Sequence, residues 1–183
     1  MKRFLLFLLL CGAPFIAIGG DNPELRALKS ADQADRQGVE NLESRDAVLD
    51  RMKRDKVRRD RVLEIVEAGG LSTAWDYFNA ALVLQHGREI EDVRLAHALA
   101  IVSSTIDPSH SGAKWLRAAS WDRLMMRLGR PQWYGTQSVL GRSGRWEIYQ
   151  VESGAVTDAD RAALGVPSLA DAEVKVAARN ASR

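Results

Sequence analysis

Three short stretches carry side chains that a plain helical core does not ask for: Gln85-His86-Gly87, Asp122-Arg123, and Pro131-Gln132-Trp133-Tyr134-Gly135-Thr136-Gln137. His86 changes charge near neutral pH, which is what an acid/base group or a ligand anchor requires. The same position also suits a purely structural role. A protonated imidazole is favoured at a helix C-terminus by the dipole, and Gly87 is expected to supply a left-handed turn. Asp122 shares its side of a helix with Trp115, Ala118, Ala119, Met125 and Met126, so it is expected to be buried. A buried carboxylate must be paired, hydrogen-bonded or protonated. It is either an ion pair to an arginine of another helix or a general base lining a pocket. The stretch from Pro131 to Gln137 brings two amides, two aromatic rings and a hydroxyl to one loop. Such a loop can hold a ligand, or its Gln and Thr side chains can satisfy exposed backbone groups at a corner.

Common catalytic signatures are absent from the sequence: no Gly-x-Ser-x-Gly, no phosphate-binding glycine loop and no His-Glu-x-x-His. The three histidines, His86, His97 and His110, stand on separate segments without metal-ligand spacing, so neither a metal nor a cofactor is expected.

Helices are the elements that must position these groups. Pro23 opens a first helix that ends at Asp32-Gln33-Ala34-Asp35-Arg36. A long second helix runs from Ser44 to Ala68, with Leu42, Leu49, Met52, Leu63 and Val66 as its apolar stripe and Gly69-Gly70 as its stop. The basic run from Arg51 to Arg61 in its middle reads either as a solvated face or as a patch for an anionic partner. Ser72 is the expected N-cap of a third helix reaching His86. A fourth runs from Glu89 to Ile106, ended by Asp107-Pro108, and a fifth from Ser111 to Leu128, ended by Gly129-Arg130-Pro131. Residues 138–140 and 146–151 flank Gly141-Arg142-Ser143-Gly144 as a β-hairpin. Thr157 with Asp160 starts a short helix, Gly165-Val166-Pro167 ends it, and a last helix covers Leu169 to Arg179. The expected fold is mainly α: a multi-helix orthogonal or antiparallel domain with a small C-terminal hairpin.

The first twenty residues differ in kind from the rest. Lys2 and Arg3 precede an apolar stretch from Phe4 to Ile18, and small residues follow at Ala17, Gly19 and Gly20, the pattern of a secretory signal peptide. The stretch is shorter than the roughly 20 residues a spanning helix prefers. The expected organisation is therefore a signal segment, 1–20, and one helical domain, 21–183, exported to the periplasm or secreted. Leu8-Leu9-Leu10-Cys11 also resembles a lipobox, with Leu10 where a small residue is usual, so a lipoprotein anchored through Cys11 is the alternative. Cys11 is the only cysteine of 183 residues, and cleavage near Gly20 leaves none for a disulfide or thiol chemistry. Lys2 and Arg3 are two of the 26 basic residues and no acidic one precedes Asp21, so the remainder carries 24 of each sign. That balance does not support a nucleic-acid partner. The membrane is met only through the signal segment or lipidation.

Asp32-Gln33-Ala34-Asp35-Arg36, Leu84-Gln85-His86-Gly87, Asp122-Arg123, the Gly129 to Gln137 stretch, and Asp160-Arg161 followed by Gly165-Val166-Pro167 resemble the bacterial family designated domain of unknown function 6624. The resemblance extends from about Asp32 to Leu169, and Gly-x-Pro-Gln-x-Tyr-Gly-Thr-Gln is its most specific part. Gly69-Gly70-Leu71 departs from it, standing where a Gly-Trp-Pro turn is expected. The resemblance implies a fold and a shortlist of residues, not an activity. By it, Gln85, His86, Asp122, Arg123, Gln132, Tyr134, Thr136 and Gln137 line one pocket.

Two function classes follow. In the first, the domain binds a small polar molecule or a peptide in a cleft formed by the Gln-His, Asp-Arg and Gly-Thr-Gln segments. In the second, it is a hydrolase or lyase using His86 and Asp122 as its acid/base pair.

Overall fold

The computed structural model describes residues 20–37 and 44–181. Residues 1–19 of the expected signal segment, with Cys11 among them, and Leu42 lie outside the described residues. Within them the chain forms seven helices and one two-stranded antiparallel sheet: α1 (Pro23–Ala34), α2 (Arg45–Glu67), α3 (Ala74–Leu84), α4 (Ile90–Ile106), α5 (Ser111–Arg127), β1 (Ser138–Leu140), β2 (Trp146–Ile148), α6 (Asp158–Ala163) and α7 (Leu169–Ala181).

Caps set where the helices begin. Asn22 accepts hydrogen bonds from the N–H groups of Glu24 and Leu25, with Pro23 in the first turn where its missing N–H costs nothing. The cap of α3 is Thr73, one residue after the expected Ser72. Thr73 accepts from Asp76 N while Asp76 Oδ2 accepts from the backbone of both Ser72 and Thr73. A carboxylate at the third helical position closes a box on Thr73 and leaves Ser72 outside it. The expected box at Thr157 and Asp160 forms at the start of α6.

α3 is the central helix, buried on almost every side. Leu82 and Leu84 meet Leu25 from α1, Val62 and Ile65 from α2, Leu99 from α4 and Leu116 from α5. Fully buried alanines, Ala80 and Ala81 on α3, Ala96 and Ala100 on α4, and Ala113 on α5, are small enough for the helix backbones to approach closely. A smaller cluster of Val93, Leu124 and Met125, with Trp121 and Trp133 against it, joins α4 and α5 to the C-terminal part.

The stripe expected on α2 is not the buried one. Leu49 is exposed, Leu63 and Val66 are partly buried, and the buried residues are Arg58, Val62 and Ile65. Only the C-terminal half of α2 reaches the core. Its middle faces the acidic end of α1, where ion pairs, not apolar contacts, make the join. The basic run is therefore neither a bare solvated face nor a free patch: Arg54, Arg58 and Arg61 pair with Asp35, Asp55, Glu24 and Glu64.

In the C-terminal part, β1 and β2 pair with Val139 opposite Glu147, and Gln132 bridges to Val151 beside them. α7 lies along β2, and Asn180 both donates to Trp146 O and accepts from Trp146 N, acting as a short mimic of a strand. The Arg179 guanidinium rests 3.5 Å from the centre of the Trp146 ring.

Candidate functional site

Asp122 and Arg123 are neighbours on α5, and a helix turns about 100° per residue, so they face different surroundings. Asp122 is fully buried and looks toward the loop after the helix. Its Oδ1 accepts from the N–H groups of Trp133 and Tyr134 at 2.8 and 2.9 Å, and its Oδ2 from Thr136 N and Thr136 Oγ1 at 2.9 and 2.7 Å. A carboxylate has about four lone-pair positions, and all are taken. Neither expected role for Asp122 is realised: among the described residues no arginine pairs with it, and its acceptor positions are filled by the loop.

The amides of the loop are spent in the same way. Gln132, fully buried, donates through Nε2 to Gln137 O and Tyr149 O and accepts from Gln137 N. Gln137 Nε2 donates to Ala119 O and Thr136 Oγ1. Arg161, buried, closes the corner from α6, donating through Nε to Tyr134 O and through Nη2 to Trp133 O. Gly135 takes a φ of +80°, a conformation that favours glycine, while a Cβ there would meet only the flexible end of the Leu169 side chain. Of the two readings open for this stretch, these contacts are those of the backbone-satisfying corner. Its outer side opens on a small cavity of about 220 Å³ between the hairpin and α7, lined by Thr136, Gln137, Trp115 and Lys175 among others.

Arg123 and His86 belong to a second centre. His86 follows α3, and its Nδ1 lies 3.1 Å from Asp32 Oδ2 at the end of α1. Asp32 is fully buried. It is also held by Arg36 Nη1 at 2.9 Å and by Gln33 Nε2 at 2.9 Å. The charges then alternate outward: Arg36 to Asp55 at 2.9 Å, Asp55 to Arg58 at 2.6 Å, Arg58 to Asp35 at 2.7 Å, and Asp35 to Arg54 at 2.8 Å. Burial pushes the His86 imidazole below its ordinary pKa, with Asp32 opposing and Arg36 and Arg123 reinforcing. That shift favours the neutral ring at neutral pH. A carboxylate can only accept, so the Nδ1–H faces Asp32 and Nε2 carries the lone pair.

His86 lines a groove of about 390 Å³ between α2 and the α3–α4 turn, together with Leu49, Met52, Asp55, Arg59 and Arg88 among others. Lys53, Lys56 and Glu89 line it as well. Among the described residues, no polar group hydrogen-bonds Nε2. The turn that presents His86 depends on Gly87, but not through a left-handed conformation, since its φ is not positive. A Cβ at Gly87 would overlap the Asp92 side chain, so glycine is needed for close approach. Gln85, beside His86, is buried with its Oε1 lacking a hydrogen-bond partner.

The eight residues expected in one pocket thus divide. His86 and Arg123 gather around Asp32 and Arg36, with Gln85 next to them in the chain. Asp122, Gln132, Thr136, Gln137 and the backbone of Tyr134 build the corner. Asp32 and Arg36, read from sequence as a helix end, are the organising pair, and their i, i+4 spacing was the available signal. Among the described residues, no group of three or more His, Cys, Asp or Glu side chains is placed to hold a metal ion. Comparison with protein-family models, curated proteins and solved structures finds no match to this chain.

Proposed function

We propose that this chain is an exported helical domain that binds a small polar ligand or short peptide in the groove between α2 and the α3–α4 turn, with His86 Nε2 as the directing acceptor. One observation carries the reading: the His86 imidazole, held through Nδ1 by the buried Asp32 carboxylate, leaves Nε2 without a partner among the described residues, at a groove lined by basic, acidic and apolar side chains. An oriented acceptor loses little freedom on binding, which is how a pocket gains specificity from few polar groups. The N-terminal pattern supports export, and among the described residues no helix is long and apolar enough to cross a membrane.

A thermal-shift panel of organic acids, amino acids, sugars and short peptides tests it against the wild-type chain and His86→Gln. A ligand at a hundred times its Kd stabilises a folded protein by ~2.7 kcal/mol, a clear rise in Tm. The expected result is a ligand that raises the wild-type Tm and loses the effect in His86→Gln. A flat response across the panel, or a shift indifferent to His86, rejects the reading.

The Asp32–His86 pair also supports a second reading, a hydrolase or lyase in which His86 is the general base and Asp32 its orienting partner. Asp122 has no part in it. Turnover of any ester, amide or glycoside substrate that disappears in His86→Gln supports this reading.

A further inference from the structure

Arg123 differs from the other buried or half-buried arginines of this chain. Arg58 donates to two carboxylates, Arg59 lies 3.2 Å from Asp92, and Arg161 meets Asp158 and three backbone carbonyls. Among the described residues Arg123 hydrogen-bonds to none, and its Nε is completely shielded from solvent without a partner. The residue as a whole is half-buried, so its Nη groups reach solvent, and no anion is paired with it among the described residues.

Its surroundings add positive charge. Arg127, one turn further along α5, donates to the carbonyl of Gly87 at 3.2 Å, so both side chains stand on the face toward the end of α3. Arg36 and Asp32 lie within electrostatic reach of Arg123. Asp32 is the nearby anion, but Arg36, Gln33 and His86 already occupy its oxygens. Arg123 therefore has two further cations within electrostatic reach and one carboxylate that is already hydrogen-bonded to three donors. Burial, reinforced by Arg127 and Arg36, pulls the Arg123 pKa down to about 10, the direction expected of a cation short of negative charge.

We infer that Arg123, flanked by Arg36 and Arg127, is the seat of an oxyanion, a phosphate or carboxylate group, held behind the His86–Asp32 pair. The guanidinium fork suits such groups, offering parallel donors to two oxygens. The inference rests on the binding reading and names the class of ligand: an acidic molecule whose anionic end meets Arg123 while its body reaches His86.

The test follows the arginine Nε–Hε cross-peaks of the ¹⁵N-labelled full chain by NMR, during titration with inorganic phosphate or succinate against sodium chloride at matched ionic strength. The expected result is a saturable shift of the Arg123 peak with at least one of the two, phosphate alone or succinate alone identifying the group. Affinity should fall about tenfold or more in Arg123→Gln, because a charge-assisted fork is lost. Should Arg123→Gln fail to fold, Arg123→Lys keeps the charge without the fork and should still weaken binding several-fold. The wild-type titration stands without either variant. An Arg123 peak that responds no more to phosphate and succinate than to chloride overturns the inference, as does undiminished binding in a folded variant. A neutral ligand that binds in a His86-dependent way, with no anion response at Arg123, overturns this inference and leaves the groove reading intact.

Discussion

Nδ1 of His86 lies 3.1 Å from Oδ2 of Asp32, a residue 54 positions earlier in the chain. This contact ties the end of α3 to the end of α1 and selects one tautomer of the imidazole. Because Asp32 is buried and also neutralised by Arg36, the ring keeps its neutral form without needing a proton to balance the carboxylate.

That arrangement predicts a stability that depends on pH. The folded pKa of His86 is lowered by burial first, and that of His97 is lowered for the same leading reason. Between the depressed folded values and the ordinary value of about 6.5, the unfolded chain binds more protons than the folded one. Stability is complete above about pH 6.5 and falls as pH drops through that window, by at most ~1.4 kcal/mol per pH unit for each imidazole. Urea unfolding at a series of pH values between about 5 and 8 measures the slope. His86→Gln and His97→Gln should each flatten it, and an unchanged slope in the double variant would assign the effect elsewhere.

Asp122→Asn should unfold the corner preferentially. The amide nitrogen would face N–H and O–H donors that now bond to a carboxylate oxygen. Leaving buried donors unmatched is expected to cost about 2–4 kcal/mol, against about 1–2 kcal/mol for Thr136→Val, which removes the hydroxyl's bonds to Asp122 and from Gln137. Hydrogen exchange at Trp133, Tyr134 and Thr136 should accelerate most in Asp122→Asn. Equal losses for the two variants would show that the carboxylate is not the keystone of the loop.

Two glycine substitutions should separate steric from conformational demand. Gly87→Ala forces a methyl into the Asp92 side chain and should cost about 1–3 kcal/mol. Gly129 has φ +67° with nothing within 4 Å of an added Cβ, so Gly129→Ala carries only the left-handed penalty, about 1 kcal/mol. Adding Asp92→Gly, which removes the clashing Cβ as well as the carboxylate, to Gly87→Ala should cost less than the two single variants summed. Strict additivity in that cycle would remove the close-approach explanation.

Much of the helical frame was legible because caps and stops are local. Pro23, Thr157 with Asp160, and Gly165 act through backbone groups within four residues, and their spacing is visible in the chain itself. The hairpin at residues 138–148 was legible for the same reason, since paired strands and a tight turn sit side by side in sequence. The α2 stripe was misjudged because burial there depends on another helix: Arg58 is buried only because Asp35 and Asp55 meet it.

By itself, then, the sequence determined the helices, their boundaries to within a residue or two, and the polar residues that needed partners. Tertiary structure alone decided which partners they found. Asp122 and Arg123 are adjacent in the chain and about 100° apart on α5, so one completes a loop and the other is left among cations. Spacing along a chain sets the direction of a side chain, but what stands in that direction is set by the packing of elements far away in sequence.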